Sequence, residues 1–418
     1  MPTGGSSYAH GMTDYLTEAA VLAPRITDLR HRLHRWPELG NDLPRTQAAV
    51  LAALEGLDLE VTRGVASTSV TAVLRGRAGS DAAASGRPVV LLRGDMDGLP
   101  IHEETGLPFA SERDGHMHGC GHDMHTATLV GAAHLLHAHR DELPGDVVFM
   151  FQPGEEVLTG ARAMLAEGVL EAAGRKVDRA FGLHVLSSVL PSGRWATRPG
   201  TLMAGADTLY LDIVGTGGHG STPSLANDPV PVMAEVILAV QTMVAKKFPA
   251  SDPVVVNVGV ANAGGAANVI PERCHLEMSV RSFSPGAREK VERLLVALVE
   301  GVCAAHGCRA EVEYRQGVGP TVNDPDAAAF VARVVGGLVG ERYADMPDPL
   351  AGSEDFSAVL EQVPGAFVFY SGVPAGRDLA DTTYNHSATA WFDDAVIGEA
   401  MAVYAALAHE ALLELATG

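Results

Sequence analysis

Apolar strand-like runs alternate with helical patterns in the first half of the chain, and this alternation limits the fold more than any other feature. The runs cover 69–74, 88–93, 146–151 and 179–185, with helical periodicity over 123–140 and 161–172. Strands that are apolar on both faces and alternate with helices are typical of a sheet covered by helices on both sides. The sequence therefore predicts an α/β layer architecture.

The pattern changes after residue 207 and returns after residue 322. The middle segment reads β-α-β-β-α-β, the order of a ferredoxin-like unit, with its elements at 208–214, 229–247, 254–260, 273–280, 285–306 and 310–314. The last part again has helices at 326–339 and 394–415 around a strand at 366–370. We predict one α/β domain of residues 1–203 and 322–418, interrupted by an inserted α+β domain of residues 204–321.

Polar side chains follow the later strands of the first half. Asp95 and Asp97 follow the second strand, Glu155 and Glu156 follow the third, and His184 lies at the end of the fourth. Ligands in open α/β sheets bind at the carboxyl ends of the strands, so these side chains should meet. Asp95 and Asp97 could be ligands of a metal or acceptors that hold a ligating imidazole.

The densest group of reactive side chains is the segment HMHGCGHDMH at 116–125. Cys120 and His122 are of the types that bind borderline-soft divalent metals, and Gly119 and Gly121 let the backbone bend close to an ion. A solvated polar loop is the alternative, but the segment carries little charge and is punctuated by glycine, which favours a buried turn.

The adjacent pair Glu155 and Glu156 could divide two tasks. One carboxylate would bind metal while the other takes a proton from an activated water molecule. Taken alone, a pair of surface acids is the commoner explanation, and the position at a strand end is what favours a site. For His184 and His386, each considered alone, an ordinary core or surface histidine is the commoner explanation.

Two other patterns suggest different functions. The segment GTGGHG at 215–220 matches the G-x-G-x-x-G pattern of dinucleotide-binding oxidoreductases, but the next strand leads into ANAGG, without the acid that should hold a ribose. Cys303, His306 and Cys308 resemble part of a zinc site, yet no fourth ligand lies nearby, so we predict a structural role. No G-x-S-x-G segment of a serine hydrolase occurs.

Charge and cysteine content exclude other classes. Thirty Lys and Arg against 51 Asp and Glu give a net charge of -21, which argues against binding to nucleic acid or to anionic membranes. Four cysteines are too few for a disulfide scaffold. Without a recognisable signal sequence or an apolar stretch of about 20 residues, we predict a cytoplasmic protein. The segment GSDAAASG at 79–86 is predicted as a short low-complexity hairpin or loop.

Nine motifs occur in one order along the chain: LHRWPELG, RGDMDGLPI, MHGCGHDMH, FQPGEE, GLHV, GTGGHGSTP, NVIPE, GSEDF and YNHS. In this series the chain resembles the metal-dependent amidohydrolases that cleave N-acyl amino acids. These are the hippurate hydrolase and indole-acetyl-amino-acid hydrolase branch of the aminoacylase and carboxypeptidase superfamily. The resemblance implies a metallopeptidase-type α/β catalytic domain with an inserted ferredoxin-like lid.

The resemblance also assigns roles to residues. It implies that the metal ligands are Cys120, His122, Glu156, His184 and His386. It further implies that Glu155 is the general base, that Asp97 and His219 belong to the catalytic group, and that Asn268 and Arg281 hold the carboxylate end of the substrate. The wider superfamily has His-x-Asp where this chain has Asp95-x-Asp97, which leaves open whether one or two ions bind.

The expected activity is metal-dependent hydrolysis of N-acyl amino acids to a carboxylic acid and a free amino acid. The expected cofactor is zinc or manganese, with cobalt or nickel able to substitute. A small-peptide or dipeptide metallopeptidase of the same superfamily is the alternative, and a dinucleotide-binding oxidoreductase is a remote one. The resemblance further implies a homodimer or higher homo-oligomer, in which the lid is the dimerisation element if His219 acts across the dimer interface.

Overall fold

The structure is a computed structural model that describes residues 8–79 and 86–417. The predicted low-complexity loop falls largely on residues 80–85, which lie outside the described residues. The helices are α1 Tyr8–His34, α2 Pro44–Leu54, α3 His122–Ala138, α4 Gly160–Ala166, α5 Pro229–Lys247, α6 Pro285–Ala305, α7 Pro325–Val339, α8 Ser357–Leu360 and α9 Ile397–Thr417. The strands are β1 Glu60–Arg63, β2 Val70–Leu74, β3 Val89–Asp95, β4 Asp146–Gln152, β5 Arg179–Leu186, β6 Trp195–Thr197, β7 Gly200–Met203, β8 Gly205–Val214, β9 Gly218–His219, β10 Val254–Ala263, β11 Val269–Ile270, β12 Arg273–Ser282, β13 Arg309–Val318, β14 Thr321–Asn323, β15 Tyr343–Asp345 and β16 Gly365–Ser371.

The chain divides into two compact units. The first comprises Met1–Gly200, Val322–Pro347 and Ala358–Gly418, and the second comprises Thr201–Thr321 and Asp348–Ser357. The sequence analysis drew its boundaries after residues 203 and 321 and left residues 348–357 in the first domain. The structure instead places Asp348–Ser357 in the second unit, where Ala204 N–H donates a hydrogen bond to Leu350 O and so ties this segment to the start of the insertion.

An eight-stranded sheet in the order β1-β2-β4-β3-β5-β16-β6-β15 organises the first unit. Its four central strands β4, β3, β5 and β16 are mutually parallel. Every residue of β3, β4 and β16 is buried, as expected when both faces of a parallel sheet are covered. The prediction of an α/β layer architecture is confirmed. Because the central strands are parallel, their carboxyl ends lie at one edge of the sheet.

In the core of the first unit, the sheet packs against helices that carry small apolar side chains. Helices α1, α3 and α9 pack on one another, and α9 is buried over most of its length. Sequence analysis did not identify the short helix α2, which begins with Pro44 at its first turn. Glu38 stabilises its start, since its carboxylate accepts hydrogen bonds from the backbone N–H and the hydroxyl of Thr46 at 2.8 and 3.0 Å.

The second unit contains a four-stranded antiparallel sheet in the order β10-β12-β8-β13, with helices α5 and α6. Burial alternates along β8 and β12, so one face of the sheet packs into a core and the other is more exposed. Helix α6 buries every fourth residue from Ala287 to Cys303. The chain order β-α-β-β-α-β agrees with the pattern that the sequence predicts for this segment.

Two helices, Pro229–Lys247 and Asp394–Thr417, are long and apolar enough to span a membrane by length and composition. In the second helix, 67% of the apolar window is buried inside the protein, and α5 contributes Val232, Val236 and Val240 to the core of its unit. Core helices of other proteins pass the same test, so these two helices are weak evidence for a membrane span.

Candidate metal centre

The edge formed by the carboxyl ends of the central strands gathers the candidate residues of the first unit. Asp95 is the last residue of β3, Glu155 and Glu156 follow β4, and His184 lies near the end of β5. Cys120 and His122 reach this edge from the start of α3, and His386 reaches it from the loop after β16. Segments distant in sequence thus contribute to one cluster, because parallel strands end at the same edge.

The turn before α3 depends on Gly121. Its φ of +86° lies in the left-handed region, and a Cβ there would lie 2.3 Å from Val185 Cγ1, so only glycine fits. Gly119, which the sequence analysis also singled out, has a negative φ and would make no Cβ contact shorter than 3.4 Å. The close approach of this turn to β5 therefore rests on Gly121 and brings Cys120 beside His184.

His184 is held in one tautomer. Its Nδ1 lies 2.8 Å from the carbonyl oxygen of Val185, which can only accept, so Nδ1 carries the proton. Nε2 therefore presents a lone pair, 3.5 Å from Cys120 Sγ. Burial and the neighbouring His125 lower the pKa of His184 well below its usual value. The ring is thus in the neutral form that binds a cation.

Asp97 orients the two glutamates. Its two carboxylate oxygens accept hydrogen bonds from the backbone N–H groups of Glu155 and Glu156 at 3.1 and 3.0 Å. The preceding Gly154 has φ +70° and passes so close to Asn41 that a Cβ would lie 2.1 Å from its Oδ1. Asp97 Oδ1 also lies 3.3 Å from His122 Nδ1. One buried carboxylate therefore sets the positions of three candidate side chains.

His386 completes the cluster from an unusual backbone conformation. It has φ +71°, one of few positive values at non-glycine residues in the described chain, and such a residue must be held by its surroundings. Its Nε2 lies 3.3 Å from both Cys120 Sγ and Glu156 Oε1. Hydrogen bonds with Cys120 and then Glu156 raise the pKa of His386 to about 10, so a cation that binds here must displace a proton.

The donor atoms have the spacing that a small divalent cation requires. Three overlapping groups have ligand atoms within 4.8 Å of one another: Cys120, His122 and His184; Cys120, Glu156 and His386; and His122, Glu155 and Glu156. Ligands at 2.0–2.3 Å around a tetrahedral ion lie about 3.3–3.8 Å apart. The distances from Cys120 Sγ to Nε2 of His184 and of His386, 3.5 and 3.3 Å, lie in this range. Within the described residues, Nε2 of His122 is buried without a hydrogen-bond partner. The residues therefore fit a metal ion.

Asp95 is held by protein groups on both oxygens. Arg93 Nη1 donates to Oδ2 at 2.5 Å, and His125 Nδ1 lies 2.6 Å from Oδ1. The backbone N–H of Val185 donates to His125 Nε2 at 2.8 Å, which leaves the ring proton on Nδ1. Burial opposes ionisation, but Arg93 and the two histidines His122 and His125 hold the pKa of Asp95 well below its usual range. The sequence left open whether Asp95 is a metal ligand or an acceptor that holds an imidazole, and this geometry favours the acceptor role.

The other three predicted site residues lie in the second unit. His219 is exposed in β9, which pairs with β11 next to Asn268. The backbone N–H of Ser221 donates to His219 Nδ1 at 3.1 Å, so the ring proton lies on Nε2 and that atom can donate a hydrogen bond. Arg281 is half-buried in β12, where its Nη1 donates to Ser353 Oγ at 2.9 Å, and burial lowers its pKa.

The two rival patterns lack the structure that their functions need. Residues 215–220 include the short strand β9 and do not open a helix, and α5 begins only at Pro229, so the strand-turn-helix context of a dinucleotide loop is missing. Cys303 and Cys308 are buried in the core of the second unit, and His306 contacts Glu235. Within the part of the chain that the structure describes, these three residues do not form a group of metal ligands.

Comparison with known proteins decides the family. The sequence profile of the peptidase family M20/M25/M40 matches residues 91–410. The chain belongs to this family. It is therefore a hydrolase, and the family predicted from the sequence motifs is confirmed. The described geometry places candidate groups of metal ligands at the carboxyl edge of the sheet.

Relatives cover most of the chain. It is 33% identical to an N-acetyl-L-cysteine deacetylase of Bacillus subtilis, over 92% of this chain and 88% of that protein. It is 34% identical to the IAA-amino acid hydrolase ILR1-like 2 of Arabidopsis thaliana, over 93% of this chain and 85% of that protein. A crystal structure from Bacillus subtilis, described as a dinuclear metal binding peptidase from the M20 family, matches with a TM-score of 0.79 and 31% identity over 94% and 99% of the two chains.

The sequence analysis of this M20 chain did not predict several residues that contact the candidate site. Arg93 lies inside a strand that reads as apolar, and His125 was noted only as part of the histidine-rich segment. Asn385 precedes His386 and was not predicted as a site residue, although it is buried in an otherwise exposed loop. The position of His125 three residues after His122 on α3 was an available signal, since residues at that spacing lie on one helix face.

Proposed function

We propose that the chain hydrolyses the amide bond of N-acyl amino acids with divalent metal held by Cys120, His122, Glu156, His184 and His386. The observation that carries this proposal is the position of Glu155. The residue is 5% exposed and its carboxylate lies beside the donor cluster, with Oε2 3.9 Å from His122 Nε2. A buried carboxylate next to a set of metal ligands is suited to take a proton from an attacking water molecule.

The donor set supports one or two ions. Cys120 belongs to one group with His122 and His184 and to another with Glu156 and His386, so its thiolate could be shared by two cations. The dinuclear description of the B. subtilis structure supports the higher number. A thiolate favours zinc, while manganese remains a second candidate and cobalt or nickel could substitute. The titration described in the Discussion distinguishes these cases.

The protein's own residues then perform the proton transfers. When bound, divalent ions would supply Lewis acidity that lowers the pKa of water toward neutrality and polarises the amide carbonyl. Glu155 accepts the proton that the attacking water loses, and passes it to the nitrogen of the leaving amine when the C–N bond breaks. Asp97 keeps the backbone of Glu155 in place during both steps.

His219 is proposed to stabilise the negative charge that develops on the carbonyl oxygen. Its Nδ1 accepts from Ser221, so its Nε2–H is the donor. A preorganised donor aimed at a developing oxyanion contributes to catalysis because it needs no reorganisation during the reaction. Asn268, whose backbone carbonyl accepts from Gly220 N–H at 2.8 Å, lies next to this histidine and is proposed to contact the substrate.

The substrate class rests on Arg281 and on the relatives. The names of the B. subtilis deacetylase and the Arabidopsis hydrolase describe compounds in which an acyl group is joined to an amino acid. Such compounds carry a carboxylate next to the cleaved amide. Arg281 offers a planar set of donors suited to a carboxylate, and among the described residues its guanidinium donates to the hydroxyl of Ser353.

An Arg281→Ala variant should lose most of the preference for free acids. We expect wild-type protein to cleave an N-acyl amino acid far faster than its carboxamide, and the variant to reduce this ratio by about 10-fold to 150-fold, the range for a charge-assisted contact. The measurement is kcat/KM on acetyl, benzoyl, indole-acetyl and long-chain acyl amino acids, their carboxamides and a dipeptide.

Arg273→Ala is the matched control. Arg273 lies on the same strand but is exposed and bonded to Glu311, so its removal should leave the ratio unchanged. If wild-type protein cleaves the carboxamide as fast as the free acid, Arg281 does not read a carboxylate and the substrate class widens to neutral amides. Preference for the dipeptide over every acyl amino acid would favour the peptidase alternative.

We also propose a cytoplasmic homodimer or higher homo-oligomer. The four cysteines are unpaired and buried, which agrees with a reducing compartment, and the net charge of -21 disfavours nucleic acid as a partner. The oligomer is proposed from the family resemblance. Sedimentation equilibrium of the purified protein tests it, and a monomer at all concentrations would contradict it.

A further inference from the structure

Asn385 is buried although its neighbours in the chain are exposed. Its relative exposure is 7%, whereas Tyr384 is 50% exposed and His386 is also exposed. The loop therefore turns one polar side chain inward. Burial of an amide group costs free energy unless its donors and acceptor form hydrogen bonds. The hydrogen-bond partners of Asn385 therefore identify the segments that this buried side chain connects.

The partners of Asn385 lie on the segments that carry metal-ligand candidates. Nδ2 donates to the carbonyl oxygen of Val185 at 3.0 Å and to that of Cys120 at 3.3 Å, and it lies 3.8 Å from Cys120 Sγ. Oδ1 accepts from the backbone N–H of Ser187 at 2.9 Å. One amide group thus joins the turn before α3, the end of β5 and the loop after β16.

Each of these contacts acts on a donor atom of the centre. The Val185 carbonyl that accepts from Asn385 is also the acceptor that fixes the tautomer of His184. The Cys120 contacts fix the backbone and thiol of the residue that two ligand groups share. Asn385 is bonded directly to the chain of His386, whose positive φ is held further by its N–H donating to Gly119 O at 2.8 Å.

We propose that Asn385 is the positioning residue that sets the spacing of Cys120, His184 and His386 before metal binds. It touches neither substrate nor reacting atoms and acts through these three side chains. Residues that orient metal ligands typically contribute 10-fold to 100-fold in metal affinity. The proposal rests on the proposed metal-dependent function and adds a determinant of metal affinity that lies outside the ligand set.

Asn385→Asp is the sharpest variant, because it keeps the size and one acceptor oxygen but removes the donors. Its second oxygen would face the carbonyls of Val185 and Cys120, which can only repel it. We expect metal affinity, measured by competition with a chelator of known affinity, to fall by about 10-fold to 100-fold. Asn385→Ala removes the same bonds without adding charge and should show the same direction of change.

Asn323→Asp is a matched control in the same unit. Asn323 is fully buried, its Nδ2 donates to Thr197 Oγ1 and the Phe367 carbonyl, and its Oδ1 accepts from Phe367 N–H. It therefore has the same pattern of bonds but contacts none of the candidate ligands. We expect this control to lower thermal stability to a similar degree and to leave metal affinity unchanged.

A spectroscopic measurement separates positioning from general destabilisation. Cobalt bound to a thiolate has a sulfur-to-metal charge-transfer absorption, and this band should shift or weaken in Asn385→Asp and Asn385→Ala, but not in Asn323→Asp. Unchanged affinity and an unchanged band in both Asn385 variants would overturn the proposal, as would equal metal loss in the control. If wild-type protein itself binds no metal, the proposed function fails instead.

Discussion

Removal of metal should abolish amide hydrolysis by the wild-type protein. Without a cation, water keeps its high pKa, and the cluster offers histidines and carboxylates but no strong electrophile to polarise the amide. Activity should fall to background after dialysis against a chelator. It should return when zinc, manganese, cobalt or nickel is added to the apoprotein in stoichiometric steps.

The titration also reports the number and type of ions. A break at one or at two equivalents distinguishes a mononuclear from a dinuclear centre, and the ion that restores the highest kcat at equal occupancy identifies the preferred metal. Circular dichroism of the apoprotein is the control that chelation has not unfolded the chain. Full activity in a sample that elemental analysis shows to be free of metal would contradict metal-dependent hydrolysis.

Replacement of Glu155 by Gln should separate proton transfer from metal binding. The amide cannot accept a proton from water, so turnover should fall by about 10²-fold to 10⁴-fold, the range for general acid–base catalysis. The backbone N–H that anchors residue 155 to Asp97 is retained in this variant, and metal content should stay at the wild-type level. The measurements are kcat with saturating metal and elemental analysis of the same sample.

Glu156→Gln is the matched variant, because it makes the same chemical change one residue away. Glu156 Oε1 lies 3.3 Å from His386 Nε2 and within a ligand group with Cys120, so this substitution should lower metal affinity as well as turnover. If both variants lose metal equally, the two glutamates do not divide the tasks as proposed.

Local sequence patterns predicted the elements better than the contacts between them. The apolar runs at 88–93, 146–151 and 179–185 became adjacent parallel strands because each is apolar on both faces, which the sequence shows directly. Their spatial order, β4-β3-β5 with β16 alongside, is not visible in the sequence, since it depends on pairing between distant segments. The same applies to Asp348–Ser357, whose place in the second unit depends on contacts with Ala204.

For the candidate site, too, local patterns identified residues in short motifs but not contacts between distant segments. Cys120, His122 and the glutamate pair were identified from local spacing, because each stands in a short motif at a strand or helix end. His386 gained support only from resemblance, since its partner Cys120 lies 266 positions earlier. Asn385 and His125 form hydrogen bonds with the backbone of β5. The spacing of His125 from His122 shows that they share a helix face, but no local pattern marks Asn385, whose partners are distant in the chain.

The position of β16 in the sheet affects how the chain folds during synthesis on the ribosome. Strand β5 ends at Leu186, but its parallel partner β16 begins at Gly365, about 180 residues and roughly 10–40 s of translation later. The sheet of the second unit needs only residues 205–318 and can close while the first unit still has an unpaired apolar strand edge. Cys120 and His184 therefore leave the ribosome long before His386, so a complete centre can form only after residue 386 has emerged.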